Sequence, residues 1–438
     1  MPILLRPQLL ISLRRYASLL LCLCILPAQA FDELAYYIDL HQNPELSFQE
    51  EKTAAKMAET LEGFGFAVTR GVGGHGVVAV YENGEGPTLL LRADMDGLPV
   101  AEQTGLPYAS QVRAKELDGS DVSVMHACGH DVHMTVVLAA ADELLQRRTE
   151  WQGTLLVIMQ PAEERGAGAR DMLADGLFER FPLPDFNLSL HTIATLPAGK
   201  IGYIEGWMMA NVDSVDIDVR GVGGHGAYPH TARDPVLLAS AIVMDLQTLV
   251  SRSIHPAEPG VVTVGSIHAG TKHNIISDRA KLQLTVRSYS DEVRETLLQG
   301  IERIAHKQAE ALDFPADLLP EVSVRDEYTP ALWNDPALVR RGVAAMRAEL
   351  GDEALVEIPK EMGGEDFSRY GRTAEKIPSF MIRLGTVPQE FYDRAAAGEA
   401  RLPSLHSPFF APDPAPTLET GKRAITAMAL DILAKPEN

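Results

Sequence analysis

The stretch His126-Ala127-Cys128-Gly129-His130-Asp131-Val132-His133 gathers three histidines, a cysteine and an aspartate. Such side chains can ligate a metal, activate a thiol, or simply form a polar loop. Elsewhere, Glu163-Glu164 follow the apolar run GTLLVIMQPA, His191 follows FNLSL, and His406 lies in LHSPFF. Taken singly, each has a plain structural reading: a helix start, an acidic turn, a core histidine, a proline-bounded loop. Two adjacent carboxylates after a buried strand repel each other and cost desolvation, which a nearby cation offsets. Their side chains diverge, so one can ligate while the other handles a proton. Together Cys128, His130, Glu164, His191 and His406 match the roughly four to six ligands of a dinuclear catalytic centre. Two anionic donors and three imidazoles favour two zinc ions per subunit, with manganese, nickel or cobalt as alternatives.

The elements that must position these groups read as α/β. DELAYYIDLHQ and the segment after Asn43-Pro44 have helical spacing, and GVVAVY and TLLLRADMD read as strands, the second apolar enough to be buried. HMTVVLAAADELLQRR is a helix starting inside the histidine cluster; GTLLVIMQ and FNLSLHT are buried strands, the latter expected to end at His191. This alternation predicts a doubly wound domain, which places its site beyond the strand ends. From about Asn211 the texture changes to alternating strands (SVDIDVRG, GVVTVGSIHAG, RAKLQLTVRSYS) and two helices, an inserted α+β unit with an antiparallel sheet. The expected division is 1–30 leader, 31–208 first catalytic part, 209–319 insert, and 320–438 second catalytic part. RGVGGHG occurs at Arg70–Gly76 and again at Arg220–Gly226 with unrelated flanks, so it marks two glycine-rich turns rather than a duplication.

The 438 residues carry a net charge of -21, which argues against a nucleic-acid partner. Arg6, Arg14 and Arg15 precede a short apolar stretch ending in Ala28-Gln29-Ala30. That is the pattern of a cleaved export signal, implying a periplasmic or secreted protein with no stable membrane anchor. The alternative is an uncleaved anchor, and Arg14-Arg15 leaves the general and twin-arginine routes both open. Of three cysteines, Cys22 and Cys24 lie in the leader, so Cys128 would remain as a lone thiol needing burial or coordination.

The chain resembles the aminoacylase/carboxypeptidase family of dinuclear metallohydrolases, in the branch of hippurate hydrolase, N-acyl-amino-acid amidohydrolases and auxin-conjugate hydrolases. The resemblance runs through LHQNPELSFQEEKTA, LLLRADMDGLPVAEQTGLPYAS, MHACGHDVHMT, QPAEERGAGARDML, GVGGHGAYPHTARDPVLLAS, GGEDFSRY and LHSPFFAP. It implies a zinc-peptidase-like sheet with an inserted lid and dimerisation domain, in a homodimer. It also implies hydrolysis of N-acyl amino acids such as hippurate-like or N-acetyl compounds. A dipeptidase or carboxypeptidase would use the same site, and two rivals remain: a non-catalytic periplasmic metal- or peptide-binding protein, and a thiol enzyme using Cys128. By resemblance Cys128 is a bridging thiolate; His130, Glu164, His191 and His406 are the other ligands; Glu163 is the general base. Asp96 supports the metal site, with Asp131 and His133 behind the ligands. His225 reaches the substrate carbonyl in the partner subunit's site, and Asn274 and Arg287 hold the substrate carboxylate. Ser277 stands where the family has proline. Trp207, another departure, reads as hinge packing ahead of a wall of the acyl pocket.

Overall fold

The computed structural model describes residues 31–326 and 328–435; the expected leader, residues 1–30, lies outside the described residues. Its centre is a mixed eight-stranded sheet. In spatial order the strands are Ala67–Val72, Gly76–Asn83, Gly153–Gln160, Thr88–Asp94, Phe186–Pro197, Ser379–Val387, Ile201–Tyr203 and Leu355–Glu357. The middle four run parallel, as a strand–helix–strand reading requires. Every residue of Ser379–Val387 is buried, and Thr88–Asp94 is buried from Leu89 onward. That explains their nearly continuous apolar sequences: layers cover both faces.

Alternate residues pack against each layer. Leu90, Leu156, Ile158 and Met381 join Met172, Phe367 and Tyr370 in one cluster. On the other side, His130–Gln146 and Pro414–Ile432 pack together over the sheet. A Cβ on Gly421 would lie 2.8 Å from Leu384 and Val136 atoms, so the small residue lets this helix approach both strand and helix.

The smaller sheet is antiparallel, ordered Gly260–Ala269, Arg279–Ser288, Asp213–Arg220, Glu321–Val324. Val215, Ile217 and Val219 alternate inward, the period-two burial their sequence predicts. They pack under helices Pro235–Thr248 and Asp291–Ala311, around Leu238, Ile242, Leu297 and Ile301. Asp234 and Ser290 cap these helices by accepting hydrogen bonds from first-turn N–H groups. The last strand, Glu321–Val324, lies beyond the expected boundary at residue 319 and pairs with Asp213–Arg220. Pro320 reads as a break because it cannot donate, but it precedes the strand and so interrupts no ladder bond.

Candidate metal centre

The ligand-type residues converge beyond the large sheet. Thr88–Asp94 ends at Asp94, and two residues later Asp96 receives the turn after Gly153–Gln160. Asp96 Oδ1 accepts from Glu163 N (3.1 Å) and Oδ2 from Glu164 N (3.0 Å) and Ser47 Oγ (2.6 Å). One buried carboxylate thus fixes the backbone of the acidic pair. Ala162, just before it, takes a left-handed φ of 50° and donates its N–H to Glu50 Oε1.

Gly129, at φ 84°, turns the chain between Cys128 and the helix His130–Gln146. A Cβ there would lie 2.8 Å from Thr192 side-chain atoms, so no other residue fits this turn unchanged. His191 was expected at a strand end. The strand instead continues to Pro197, because Ser379–Val387 pairs with it along that length. Its pairing with Thr88–Asp94 stops at Ser189, which opens the sheet beside His191. His406 reaches the same place from a loop, in a left-handed conformation (φ 64°) held by its N–H to Ala127 O.

Cys128 Sγ lies 3.5 Å from His191 Nε2 and 3.3 Å from His406 Nε2, and the latter is 3.4 Å from Glu164 Oε1. His130 Nε2 is 3.9 Å from Glu163 Oε2 and 3.9 Å from Glu164 Oε1. Donors about 2.1 Å from a tetrahedral ion stand roughly 3.4 Å apart, so these gaps match shared ions. Buried His130 Nδ1 and Nε2 and Glu164 Oε1 have no hydrogen-bond partner among the described residues, the condition a cation relieves. Cys128 belongs to two such groups, with His130 and His191 and with Glu164 and His406, so its sulfur is placed to be shared.

Hydrogen bonds decide which histidines are available. His191 Nδ1 donates to Thr192 O (2.8 Å), leaving the Nε2 lone pair toward Cys128. His133 is committed twice: Nε2 accepts from Thr192 N (2.8 Å) and Nδ1 donates to Asp94 Oδ1 (2.6 Å). It therefore positions the Thr192 segment and has no lone pair for an ion. Asp131 works similarly, its Oδ2 bound by His41 Nδ1 at 2.7 Å.

The electrostatics argue against a thiol nucleophile. Burial, with Glu164 and Glu163 nearby, pushes the Cys128 thiol well up. Burial, with Arg383 nearby, pushes His191 well down. These two shifts oppose proton transfer from Cys128 to His191, while His406, also beside the sulfur, is raised by Glu164; a divalent cation would ionise this sulfur directly. Burial, then Glu365 and Glu164, pushes Glu163 well up.

A cavity of about 500 Å³ opens on this group, lined by Cys128, Glu163, Glu164, His191 and His406 and, from the small sheet, Arg287. His225 and Asn274 are not brought to it. They sit together on the exposed surface of the smaller unit, where Gly226 N donates to Asn274 O and His225 pairs with Ile275. Trp207 packs edge-on against Trp333 (4.8 Å between rings) while Met209 lines the cavity.

Residue-type reasoning missed a second layer. Fully buried Arg92 donates to Asp94 Oδ2 (2.7 Å) and Asp366 Oδ1 (3.0 Å) and pairs with Glu365 Oε1 (2.9 Å). Its signal was present as a lone basic side chain inside TLLLRAD. The same signal marks Arg383 in SFMIRLGTV.

A paired set of ligands beyond the strand ends of a mixed α/β sheet, with a spare carboxylate beside it, is the architecture of a dinuclear metallohydrolase. The sequence pattern of Peptidase family M20/M25/M40 matches residues 90–403, and the chain belongs to that family of hydrolases. The chain is 36% identical to the N-acetylcysteine deacetylase of Bacillus subtilis, over 88% of this chain and 96% of that one. It is 38% identical to the N-acetyldiaminopimelate deacetylase of Limosilactobacillus fermentum, over 79% and 86%. Among solved structures, a dinuclear metal-binding peptidase of the M20 family from B. subtilis superposes with a TM-score of 0.73 at 31% identity, over 92% of this chain and 97% of that one.

Proposed function

We propose that the protein hydrolyses the amide bond of N-acyl amino acids, with Glu163 as general base. The observation that carries this reading is the Glu163 carboxylate. It lines the cavity 3.9 Å from His130, is buried, and makes no hydrogen bond among the described residues. A site that only sequestered metal has no use for it. The similarity to two deacetylases of N-acetyl amino acids supports the substrate class.

Cys128, His130, Glu164, His191 and His406 would hold two divalent ions, which when bound polarise the acyl carbonyl and acidify water. Glu163 takes the proton of the attacking water and returns it to the leaving amine. Arg287, in the cavity without a carboxylate partner among the described residues, holds the substrate carboxylate. Asp96 and His133 keep the carboxylate turn and the Thr192 segment in place. His225 and Asn274, exposed and remote from this cavity, would serve the site of a second subunit in a homodimer, with the smaller unit as lid. The donor set favours zinc. Export through the leader would place the enzyme in the periplasm or medium.

The test is Glu163→Gln together with metal analysis and a panel of N-acetyl, N-benzoyl and dipeptide substrates. The expected result is full metal content and a fall in kcat of at least about 10³-fold, the upper part of the range for losing a positioned base. A wild type inactive on every amide would overturn the reading in favour of a binding protein. Turnover of dipeptides alone would favour a dipeptidase.

A further inference from the structure

We propose that Arg383 forms an anion-reading subsite, so that the preferred substrate carries a negative charge beyond the α-carboxylate held by Arg287. This rests on the amide-hydrolase reading above and names the substrate class for it.

Arg383 lies in the wholly buried strand Ser379–Val387, directly opposite His191 on the parallel neighbour. Side chains at matched positions of adjacent strands leave the sheet on the same face, so Arg383 stands beside the ligand group. It lines the same cavity as Cys128, Glu163, His191 and Arg287 while being 2% exposed. Among the described residues its one ion pair is Nη2 to Glu361 Oε2 at 2.8 Å. Nε and Nη1 are buried and have no acceptor among the described residues.

The contrast with Arg92 carries the argument. Both are lone guanidiniums in buried strands, but Arg92 is met by three carboxylates. Among the described residues Arg383 is met by one, whose side chain is 37% exposed. A guanidinium taken from water with most of its donors unmatched is stable only if an anion can complete its shell. Glu361 cannot move in to do so by a backbone shift, because its N–H is tied to Met208 O and its carbonyl to Tyr289 OH. The two guanidiniums come from different sheets, Arg287 from the small one and Arg383 from the large one, and both face one cavity. A dianionic substrate would match both. The second charge can sit on the side chain of the leaving amino acid or at the far end of the acyl group.

Steady-state kinetics with two pairs of isosteric substrates separates these sources. N-acetyl-L-glutamate against N-acetyl-L-glutamine probes the leaving side, and N-succinyl-L-alanine against N-succinamoyl-L-alanine probes the acyl side. In at least one pair the wild type should favour the anion by about 30-fold in kcat/KM, the scale of a charged hydrogen-bonded contact. Arg383→Gln should collapse that ratio to within about threefold of unity, with KM carrying the change. Glu361→Gln, which frees Arg383 from its one competitor, should lower KM for the favoured anion and leave its neutral partner's KM in place. This variant carries the test should Arg383→Gln fail to fold. Hydrolysis of neutral substrates as fast as anionic ones in both pairs overturns the subsite and leaves the amidohydrolase standing. A preference that survives Arg383→Gln also overturns it. Absence of any hydrolysis points instead to failure of the underlying reading.

Discussion

Asp96→Asn tests the construction of the site with almost no change of shape. The Asp96 carboxylate is 1% exposed, holds Glu163 N, Glu164 N and Ser47 Oγ, and stands 3.4 Å from His130 Nδ1. A carboxamide keeps one acceptor oxygen and presents an NH₂ in place of the other. If the oxygen stays with Glu164 N and Ser47, the NH₂ meets the Glu163 N–H; the reverse orientation meets Glu164 N and Ser47 instead. Either way one peptide N–H loses a charged acceptor and faces a donor. The loss should come to about 2–4 kcal/mol, one charge-assisted bond plus part of a stranded donor's desolvation. The turn relieves that conflict by moving, and it carries both the base and a ligand. A displacement of about 1 Å costs on the order of 10²-fold in rate. The assay is kcat/KM on the best N-acyl amino acid at saturating metal, with metal content and a urea midpoint on the same preparation. The expected result is a fall near 100-fold in kcat/KM with a lowered midpoint. A variant within threefold of wild type, with unchanged midpoint, would falsify the claim that Asp96 sets this turn.

Other consequences follow from the same geometry. Chelation should abolish activity, and a divalent ion should restore it. The apo protein should also melt lower, because ligand at a thousandfold over Kd adds about 4 kcal/mol to the folded state; calorimetry with and without chelator measures this. Gly129→Ala forces a Cβ against Thr192 at a left-handed φ, and should cost both stability and metal content, read by thermal melts and metal analysis. His41 is gripped by Asp131 and Glu102, with Tyr37 and Tyr108 packed against it. Burial disfavours its charge, but the hydrogen bonds to Asp131 and Glu102 prevail and raise its pKa to about 10. The unfolded value is near 6.5, so the stabilisation is complete below about pH 6.5 and is lost as pH rises through about 10. Urea midpoints across that window should fall with pH in the wild type, and this component should be absent in His41→Gln.

The ligand types and the change of texture near Asn211 were legible in the sequence because each is local. A lone thiol among histidines, or a switch to alternating strands, needs no knowledge of what lies across the fold. His406 meets Cys128 across 278 positions, yet its residue type alone marked it. What a single stretch could not reveal were partnerships made across the fold. TLLLRAD holds the buried charge and one partner, Asp94; only the fold brings Glu365 and, 274 positions on, Asp366 to complete the set. His191 looked like a strand end because the apolar run FNLSL stops at it, although the strand runs on to Pro197. Glu321–Val324 was hidden by the proline before it.

The second layer also explains why the centre needs cations at all. Asp94, Asp96, Glu163, Glu365 and Asp366 are all buried, and Arg92 is the guanidinium that pairs with Asp94, Glu365 and Asp366. Glu164 adds a buried oxygen without a hydrogen-bond partner among the described residues. One guanidinium cannot balance so many carboxylates at low dielectric, so without further positive charge protons must fill the deficit. Burial pushes Glu163 well up and raises Glu365 to about 7, whereas at Asp94 burial is outweighed by Arg92 and at Asp96 by His130, and both of those are lowered. A protonated Glu163 is no base. Divalent ions between Cys128, His130, Glu164, His191 and His406 would supply the missing charge and so restore the carboxylate that the reaction requires. On this view the acids around Arg92 set the demand for positive charge at the centre, and Arg92 meets part of it.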